Sequence, residues 1–229
     1  MEKVLAQQEQ LLVAAQILGQ ALASNQWLYA FGTGHSHLIA EEIFYRAGGL
    51  ARACPILDER FMLHKDAIQA TYNEREEGRA RQILNNYKVE AGDVMVVISN
   101  SGRNAVPIEM ALESRKMGAK VISITNFSQG KAWPSRHSSG LKLDQVADIA
   151  LDNCGIEGDA VLNFPGLPGR IGPTSTSTGA MILNLIIVQA QAIATELGNP
   201  PEIYISSNTS GDDHNEKLLQ KYKDKIPHL

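Results

Sequence analysis

The sequence has two cysteines, few aromatic residues and no long run of like charge. Cys54 and Cys154 stand far apart and outside any CxxC pattern, so we expect reduced thiols rather than a disulfide framework or a clustered zinc site. Its 21 basic and 25 acidic side chains give a net charge of −4, which argues against nucleic acid or an anionic membrane as the main partner. The longest nearly apolar stretch, residues 180–194, is interrupted by polar residues, and we expect no membrane span there.

The first ten residues, MEKVLAQQEQ, carry an acid and several glutamines where a signal peptide needs a basic and then an apolar region. We therefore expect a cytoplasmic protein. With 229 residues, of which 44% are hydrophobic and 20% charged, the chain can bury a core without disulfide support. We divide it into an N-terminal helix over 1–26 that packs on the domain or on a partner subunit, one domain over 27–198, and a C-terminal extension over 199–229.

Short apolar runs alternate with segments of helical spacing along most of the chain. We predict strands at residues 27–31, 50–56, 94–98, 121–125 and 147–151. We predict helices at residues 1–24, 36–47, 74–86, 105–117, 177–197 and 213–224. Strands without polar alternation are buried on both faces, and their alternation with helices predicts an α/β fold, a three-layer αβα sandwich with a doubly wound parallel sheet.

Two segments show no clear period. Residues 57–72 are interpreted as an excursion that could fold over a site, and the glycine- and proline-rich residues 152–175 are interpreted as a loop. The helix predicted at 177–197 is apolar nearly all round, which indicates burial in the core or against a second subunit.

Three segments rich in hydroxyl groups stand at predicted helix starts. Ligands of open parallel sheets bind beyond the carboxyl ends of the strands, where the first two segments lie, and free backbone N–H groups there suit an anion. A helix cap needs one hydroxyl, whereas the third segment has five in succession over residues 174–178. We therefore predict that the three segments bind one phosphate. The predicted phosphate-binding residues are Gly34, Ser36, Ser99, Ser101, Asn104, Thr174, Ser175 and Thr176.

A nucleotide cofactor is not expected. Gly32-x-Gly34 opens like a dinucleotide-binding fingerprint, but His37 stands where a third glycine is needed, and residue 53 is alanine where an acid is needed. His35 and His37 could ligate a metal, yet no third ligand has suitable spacing, so we expect neither cofactor nor metal.

Taken together, these motifs resemble those of the sugar isomerase (SIS) domain. They are FGTGHSH after the first strand, ISNSGRN at residues 98–104, and GPTSTST before the long helix. SIS domains typically read I-S-x-S-G-x-[TS] at the second motif, and here Asn104 replaces the last hydroxyl. The resemblance covers residues 27–197, and residues 1–24 resemble the helix that precedes the domain.

By length, the chain is similar to phosphoheptose isomerases and to a little-characterised bacterial group of stand-alone SIS proteins. The resemblance implies a flavodoxin-like five-stranded parallel sheet. It also implies phosphosugar binding and a homodimer or homotetramer with sites near subunit interfaces.

An aldose–ketose isomerase moves a proton between adjacent carbons, which requires a base and a group that helps to open the sugar ring. Glu74 and Glu77 are the candidate bases, because they lie three residues apart on one face of the predicted helix, in a part of the fold that often supplies the base of SIS enzymes. Acids in a first helical turn also simply favour the helix dipole. His64 and His214 are the candidate ring-opening groups. Further residues that could contact the phosphate are Arg103, Lys131, Arg136 and His137.

A sugar-phosphate isomerase is thus the leading hypothesis, acting on a phosphorylated sugar or amino sugar. A lyase, etherase or deaminase of phosphorylated amino sugars is the alternative within the same chemistry. A non-catalytic phosphosugar sensor that acts through a protein partner is the alternative from another class. A DNA-binding regulator is not expected, because the 26 residues before the first strand cannot hold a three-helix DNA-binding domain.

Overall fold

The computed structural model describes residues 2–229, and its centre is a five-stranded sheet. The strands of this sheet are β1 (Leu28–Gly32), β2 (Ala53–Ile56), β3 (Val94–Ser99), β4 (Lys120–Thr125) and β5 (Ile149–Asp152). They are all parallel and lie in the order β2-β1-β3-β4-β5. The predicted α/β class and the five-stranded parallel sheet are confirmed.

Helices cover both faces of the sheet, as expected for a three-layer sandwich. The helices are α1 (Glu2–Leu5), α2 (Gln8–Ala23), α3 (His37–Glu42), α4 (Leu63–Asn73), α5 (Arg79–Leu84), α6 (Ala105–Lys116), α7 (Phe127–Ala132), α8 (Leu143–Val146), α9 (Ser175–Glu196) and α10 (Asp212–Tyr222). One layer is made of α2, α3 and α9, and the other of α5, α6, α8 and α10.

The core lies on both sides of the sheet because successive strand residues point to opposite faces. Tyr29 and Phe31 of β1 pack with the α5, α6, α8 and α10 layer, whereas Leu28 and Ala30 pack with the α2, α3 and α9 layer. Every residue of β1, β2 and β3 is buried. This double burial explains why the strands read as continuous apolar runs in the sequence.

The region before α5 differs from the prediction. One helix was expected over 74–86, but α5 covers only Arg79–Leu84, and residues 74–78 form a turn. Gly78 has a φ of 83°, a left-handed conformation that favours glycine and cannot continue a helix. Glu74 therefore follows the last turn of α4 instead of opening a helix.

Both segments without a clear period contain regular structure. The predicted excursion at 57–72 includes most of α4, which is kinked at Asp66. The predicted loop at 152–175 contains an antiparallel hairpin of β6 (Ala160–Leu162) and β7 (Ile171–Pro173). In the C-terminal extension, Ile203 forms an isolated antiparallel bridge with Leu50.

Helix α9 is longer than the apolar stretch noted in the sequence. Among residues 2–229 it is the one helix that is long and apolar enough, by length and composition, to cross a membrane. One side of it packs against α2 and the sheet through buried residues such as Ile182, Ile186 and Ala190. Its other side exposes Leu185 and Val188.

Candidate functional site

A polar cavity lies at the carboxyl ends of β1 and β3. The chain leaves β1 toward β2 on one side and returns to β3 on the other, so these neighbouring strands mark the topological switch point of the sheet. Open α/β sheets bind their ligands at this point. The cavity has a volume of about 310 Å³, and we name it the switch-point cavity. It is lined by Thr33, Gly34, His35, Ser36, Leu63, Thr71, Glu74, Ser99, Asn100, Ser101, Asn104, Gln129, Asp159 and Ser175.

Two glycine-containing turns shape the cavity floor. Gly34 has a φ of 56° and Gly102 a φ of 59°, so each turn uses the left-handed conformation that favours glycine. A Cβ atom on Gly102 would lie 2.6 Å from Thr125 Oγ1, so a side chain there would push the turn away from β4. These turns place Ser36 and Ser101 on the cavity wall, and their hydroxyls form no side-chain hydrogen bond within residues 2–229.

Glu74 is the carboxylate that two neighbouring side chains fix inside the cavity. Its Oε2 accepts a hydrogen bond of 2.7 Å from Thr33 Oγ1, and its Oε1 accepts one of 2.6 Å from Asn104 Nδ2. Burial raises the pKa of Glu74, while the Thr33 hydrogen bond and the charges of Arg75 and Arg136 act in the opposite direction. A buried carboxylate with a raised pKa is suited to accept and return a proton.

Both polar atoms of the Asn104 side chain form hydrogen bonds. Its Nδ2 donates to Glu74, and its Oδ1 accepts a hydrogen bond of 2.9 Å from Arg136 Nη1. Phosphate binding by Asn104 stays a prediction, and the structure shows its side chain hydrogen-bonded to Glu74 and Arg136. SIS domains usually have a hydroxyl residue at this motif position. Because the residue here is Asn104, Glu74 accepts a hydrogen bond from an amide instead.

Asp159 occupies the N-terminus of α9. Its Oδ1 accepts hydrogen bonds from the backbone N–H groups of Thr174 (3.0 Å) and Ser175 (2.8 Å), and its Oδ2 accepts one from Ser175 Oγ (2.7 Å). A carboxylate is thus held where the hydroxyl-rich segment was predicted to bind phosphate, and Thr176 does not line the cavity. Negative charge is favourable at this position because of the helix dipole.

The other predicted catalytic residues lie outside the cavity. Glu77 is exposed and accepts hydrogen bonds from the N–H and Oγ of Ser138, which lower its pKa. His64 is exposed on α4, with its ring 6.2 Å from that of His37. His214 is exposed on α10, and its Nε2 lies 2.9 Å from the carbonyl oxygen of Ile203.

One group of side chains among residues 2–229 has the geometry to hold a metal ion. The ligand atoms of Glu77, Glu109 and His137 lie within 4.8 Å of one another. This group lies outside the switch-point cavity, and the hydrogen bonds from Ser138 to Glu77 and from Gly78 N–H to Glu109 already occupy several carboxylate oxygens. We assign it no role in the cavity chemistry.

Sequence reasoning missed Thr33, Asn100, Gln129 and Asp159 as cavity residues. Thr33 stands within the first quoted motif, so its hydroxyl was a visible signal. Gln129 follows β4 at the same edge of the sheet, so its place after a predicted strand was also a signal. Asp159 gave no such signal, because it reaches the cavity only through packing of distant segments.

Known proteins resemble this chain both in sequence and in fold. A family model described as the SIS domain matches residues 1–126. A UPF0309 protein of Geobacillus sp. (strain WCH70) is 41% identical over 224 residues, which cover 97% of this chain and 91% of that protein.

Two solved structures match this chain over most of its length. One, from Bacteroides fragilis NCTC 9343, is described as a phosphosugar isomerase involved in capsule formation, and it matches with a TM-score of 0.51 and 17% identity over 82% of this chain and 80% of that one. A phosphoheptose isomerase from Neisseria gonorrhoeae matches with a TM-score of 0.46 and 21% identity over 85% of this chain and 89% of that one. At 17% identity, the likeness to the Bacteroides fragilis structure concerns the fold alone.

Proposed function

The chain belongs to the SIS-domain family, and we propose that it is a sugar-phosphate isomerase with Glu74 as its base. The observation that carries the proposal is the Glu74 carboxylate, which Thr33 and Asn104 hold at the wall of a cavity that also presents the hydroxyls of Ser36 and Ser101. A volume of about 310 Å³ is at the lower end of the range for small-molecule sites, which suits a sugar phosphate.

The phosphate is proposed to lie against the turns that follow β1 and β3. Ser36 and Ser101 offer hydroxyl groups there, and α6 begins directly after the second turn. The N-terminus of α9 is already neutralised by Asp159, which would repel a phosphate dianion. Thr174 and Ser175, predicted from the sequence to bind phosphate, are therefore assigned to the Asp159 contact in this proposal, and Thr176, which does not line the cavity, is given no phosphate contact.

The reaction follows from the position of Glu74. Its carboxylate removes the proton from C2 of an open-chain aldose phosphate, and the electron pair forms the C1–C2 double bond of an enediol as the carbonyl oxygen gains a proton. The same carboxyl group then returns its proton to C1, while the C2 hydroxyl loses a proton and C2 becomes the ketone. His35 lines the cavity and can exchange protons with the sugar oxygens, whereas His64 and His214 of the same chain do not line it.

A panel of aldose and ketose phosphates in D2O tests this function. We expect one pair to interconvert with loss of the C2 proton signal in NMR, and the bound sugar to raise the thermal unfolding midpoint. A ligand at 100 times its Kd stabilises a protein by about 2.7 kcal/mol. Stabilisation with neither exchange nor interconversion would overturn the isomerase and favour a lyase or a sensor, and no stabilisation by any phosphosugar would overturn the binding site.

The pH dependence of the reaction depends on Thr33. Glu74 must be ionised to act, so kcat/KM rises as the pH rises through its pKa, which burial holds above the ordinary value. Thr33→Val removes a hydrogen bond that favours the ionised form. We expect the acid limb of the kcat/KM profile to move to higher pH. Thr71→Val is the control, since Thr71 lines the same cavity but donates to the Ala67 carbonyl; an equal move in both variants would contradict the role of Thr33.

Partners and location complete the proposal. The exposed apolar side of α9, with Leu185 and Val188, fits a second copy of the chain, and we propose a homodimer or homotetramer.

Cys54 and Cys154 are free thiols, which accords with a cytoplasmic location.

A further inference from the structure

A second cavity, of about 680 Å³, adjoins the switch-point cavity. Gln129 lines both, and Asp159 lines the switch-point cavity while its chain neighbours Gly158 and Ala160 line the second one. The second cavity contains three arginines, and we name it the arginine cavity. These arginines are Arg103, Arg136 and Arg170.

In the part of the chain that the structure describes, the guanidinium groups of the arginine cavity are not paired with carboxylates. Within residues 2–229 none of them forms an ion pair with a carboxylate. The Cζ atom of Arg103 lies 5.6 Å from the centroid of the Trp133 ring, over its face. The Nε atom of Arg103 is buried and has no hydrogen-bond partner among the described residues. A buried donor left unpaired is costly, so an acceptor brought to this N–H group would be favourable.

The charge of the arginine cavity is only partly balanced. Among the described residues, Glu157 is the one acidic residue on its wall, and the Glu157 Oε1 atom accepts a hydrogen bond of 2.9 Å from Trp133 Nε1. Burial and the positive charges of Arg103 and Arg75 lower the pKa of Arg136. Like charges held together in this way are stabilised by an anion placed among them.

The two cavities are also joined by a chain of hydrogen bonds. Arg136 Nη1 donates to Asn104 Oδ1, and Asn104 Nδ2 donates to Glu74 Oε1. A ligand group bound to Arg136 would therefore be linked to the proposed base through the side chains of Arg136 and Asn104.

We propose that the arginine cavity binds a second acidic group, a carboxylate or a further phosphate, of the same phosphorylated sugar. This inference rests on the proposed function, in which the first phosphate occupies the switch-point cavity. A planar guanidinium group can donate two parallel hydrogen bonds to a carboxylate or to a phosphate. Such charge-assisted hydrogen bonds are stronger than those between neutral groups. The proposed substrates are thus phosphorylated sugars that carry a second acidic group, either a carboxylate or another phosphate.

Titration calorimetry with matched ligand pairs tests the inference. The first pair is 6-phosphogluconate and glucitol 6-phosphate, which differ in one carboxylate, and the second is fructose 1,6-bisphosphate and fructose 6-phosphate, which differ in one phosphate. We expect the doubly acidic member of at least one pair to bind tenfold or more tightly, and the pair that shows the preference identifies the second group. Arg170→Gln and Arg103→Gln should each reduce that preference about tenfold, while the affinity for the singly acidic member stays within about twofold.

Arg81→Gln serves as the control, because Arg81 is an exposed arginine on α5 outside both cavities. Equal affinities within both pairs, with the single phosphates still bound, would overturn the second subsite and leave the proposed function intact. A loss of preference in Arg81→Gln as large as in Arg170→Gln would also overturn it, because the effect would then come from net charge. Failure of all four ligands to bind would overturn the proposed function and this inference with it.

Discussion

Replacing Glu74 by glutamine should abolish most turnover and leave sugar-phosphate binding in place. The glutamine amide keeps the size of the side chain and can still accept from Thr33 Oγ1, but it cannot take a proton from carbon. Loss of a positioned general base typically lowers the rate by about 10²–10⁴-fold. We therefore expect kcat to fall by this amount in the isomerisation assay, while the ligand-induced rise in the unfolding midpoint persists.

Glu77→Gln is the matched control for this substitution. Glu77 is three residues away and was an equal candidate in the sequence, but it is exposed and hydrogen-bonded to Ser138 outside the cavity. Its variant should keep kcat within about twofold of the wild type. If Glu77→Gln lost turnover and Glu74→Gln retained it, the assignment of the base would be wrong.

The second large effect is expected from Gly32→Ala. A Cβ atom on Gly32 would lie 2.4 Å from the carbonyl oxygen of Ser36 and 2.5 Å from its carbonyl carbon, so the backbone of the turn after β1 must move. Overpacking of this kind costs about 1–3 kcal/mol of stability. The displaced turn would carry Thr33 and Ser36 away from their cavity positions. We expect a lower unfolding midpoint and at least a tenfold weaker binding of the sugar phosphate.

Gly130→Ala controls for the general effect of adding a methyl group. Gly130 lies in α7, and a Cβ atom there would have no neighbour within 4 Å. Alanine also favours a helix more than glycine does, so this variant should be as stable as the wild type or slightly more so, with unchanged binding. Normal ligand binding by Gly32→Ala would show that the turn does not hold the phosphate.

The sheet was predictable because its strands carry a local signal. Residues buried on both faces must be apolar in succession, and the runs at β1, β3 and β4 are bounded by polar turns. The helix predicted at 74–86 began too early because the helix-favouring residues Glu74, Arg75, Glu76 and Glu77 precede Gly78, whose backbone conformation is not visible in the spacing. The hairpin of β6 and β7 was missed because its strands are short and largely exposed, so they lack an apolar run.

The candidate site was only partly predictable for a related reason. Ser36, Ser101 and Glu74 stand in or near recognisable motifs, and the structure brings them to one cavity. The roles of Asp159 and Arg136 depend on contacts with residues 15 or more positions away along the chain, which no local pattern encodes. Likewise, His64 and His214 could be proposed as partners for the base only from their positions in the sequence, which do not show whether a side chain reaches the cavity.

A crystal structure of Glu74→Gln with an aldose phosphate that the wild-type protein converts would show directly whether the base and the phosphate site are assigned correctly. We expect the phosphate to contact Ser36, Ser101 and the N–H groups of their turns. We also expect C2 of the sugar to lie about 3–3.5 Å from the side-chain amide of residue 74, the distance of a reactive contact. A sugar bound with its phosphate elsewhere, or with C2 out of reach of residue 74, would contradict both assignments.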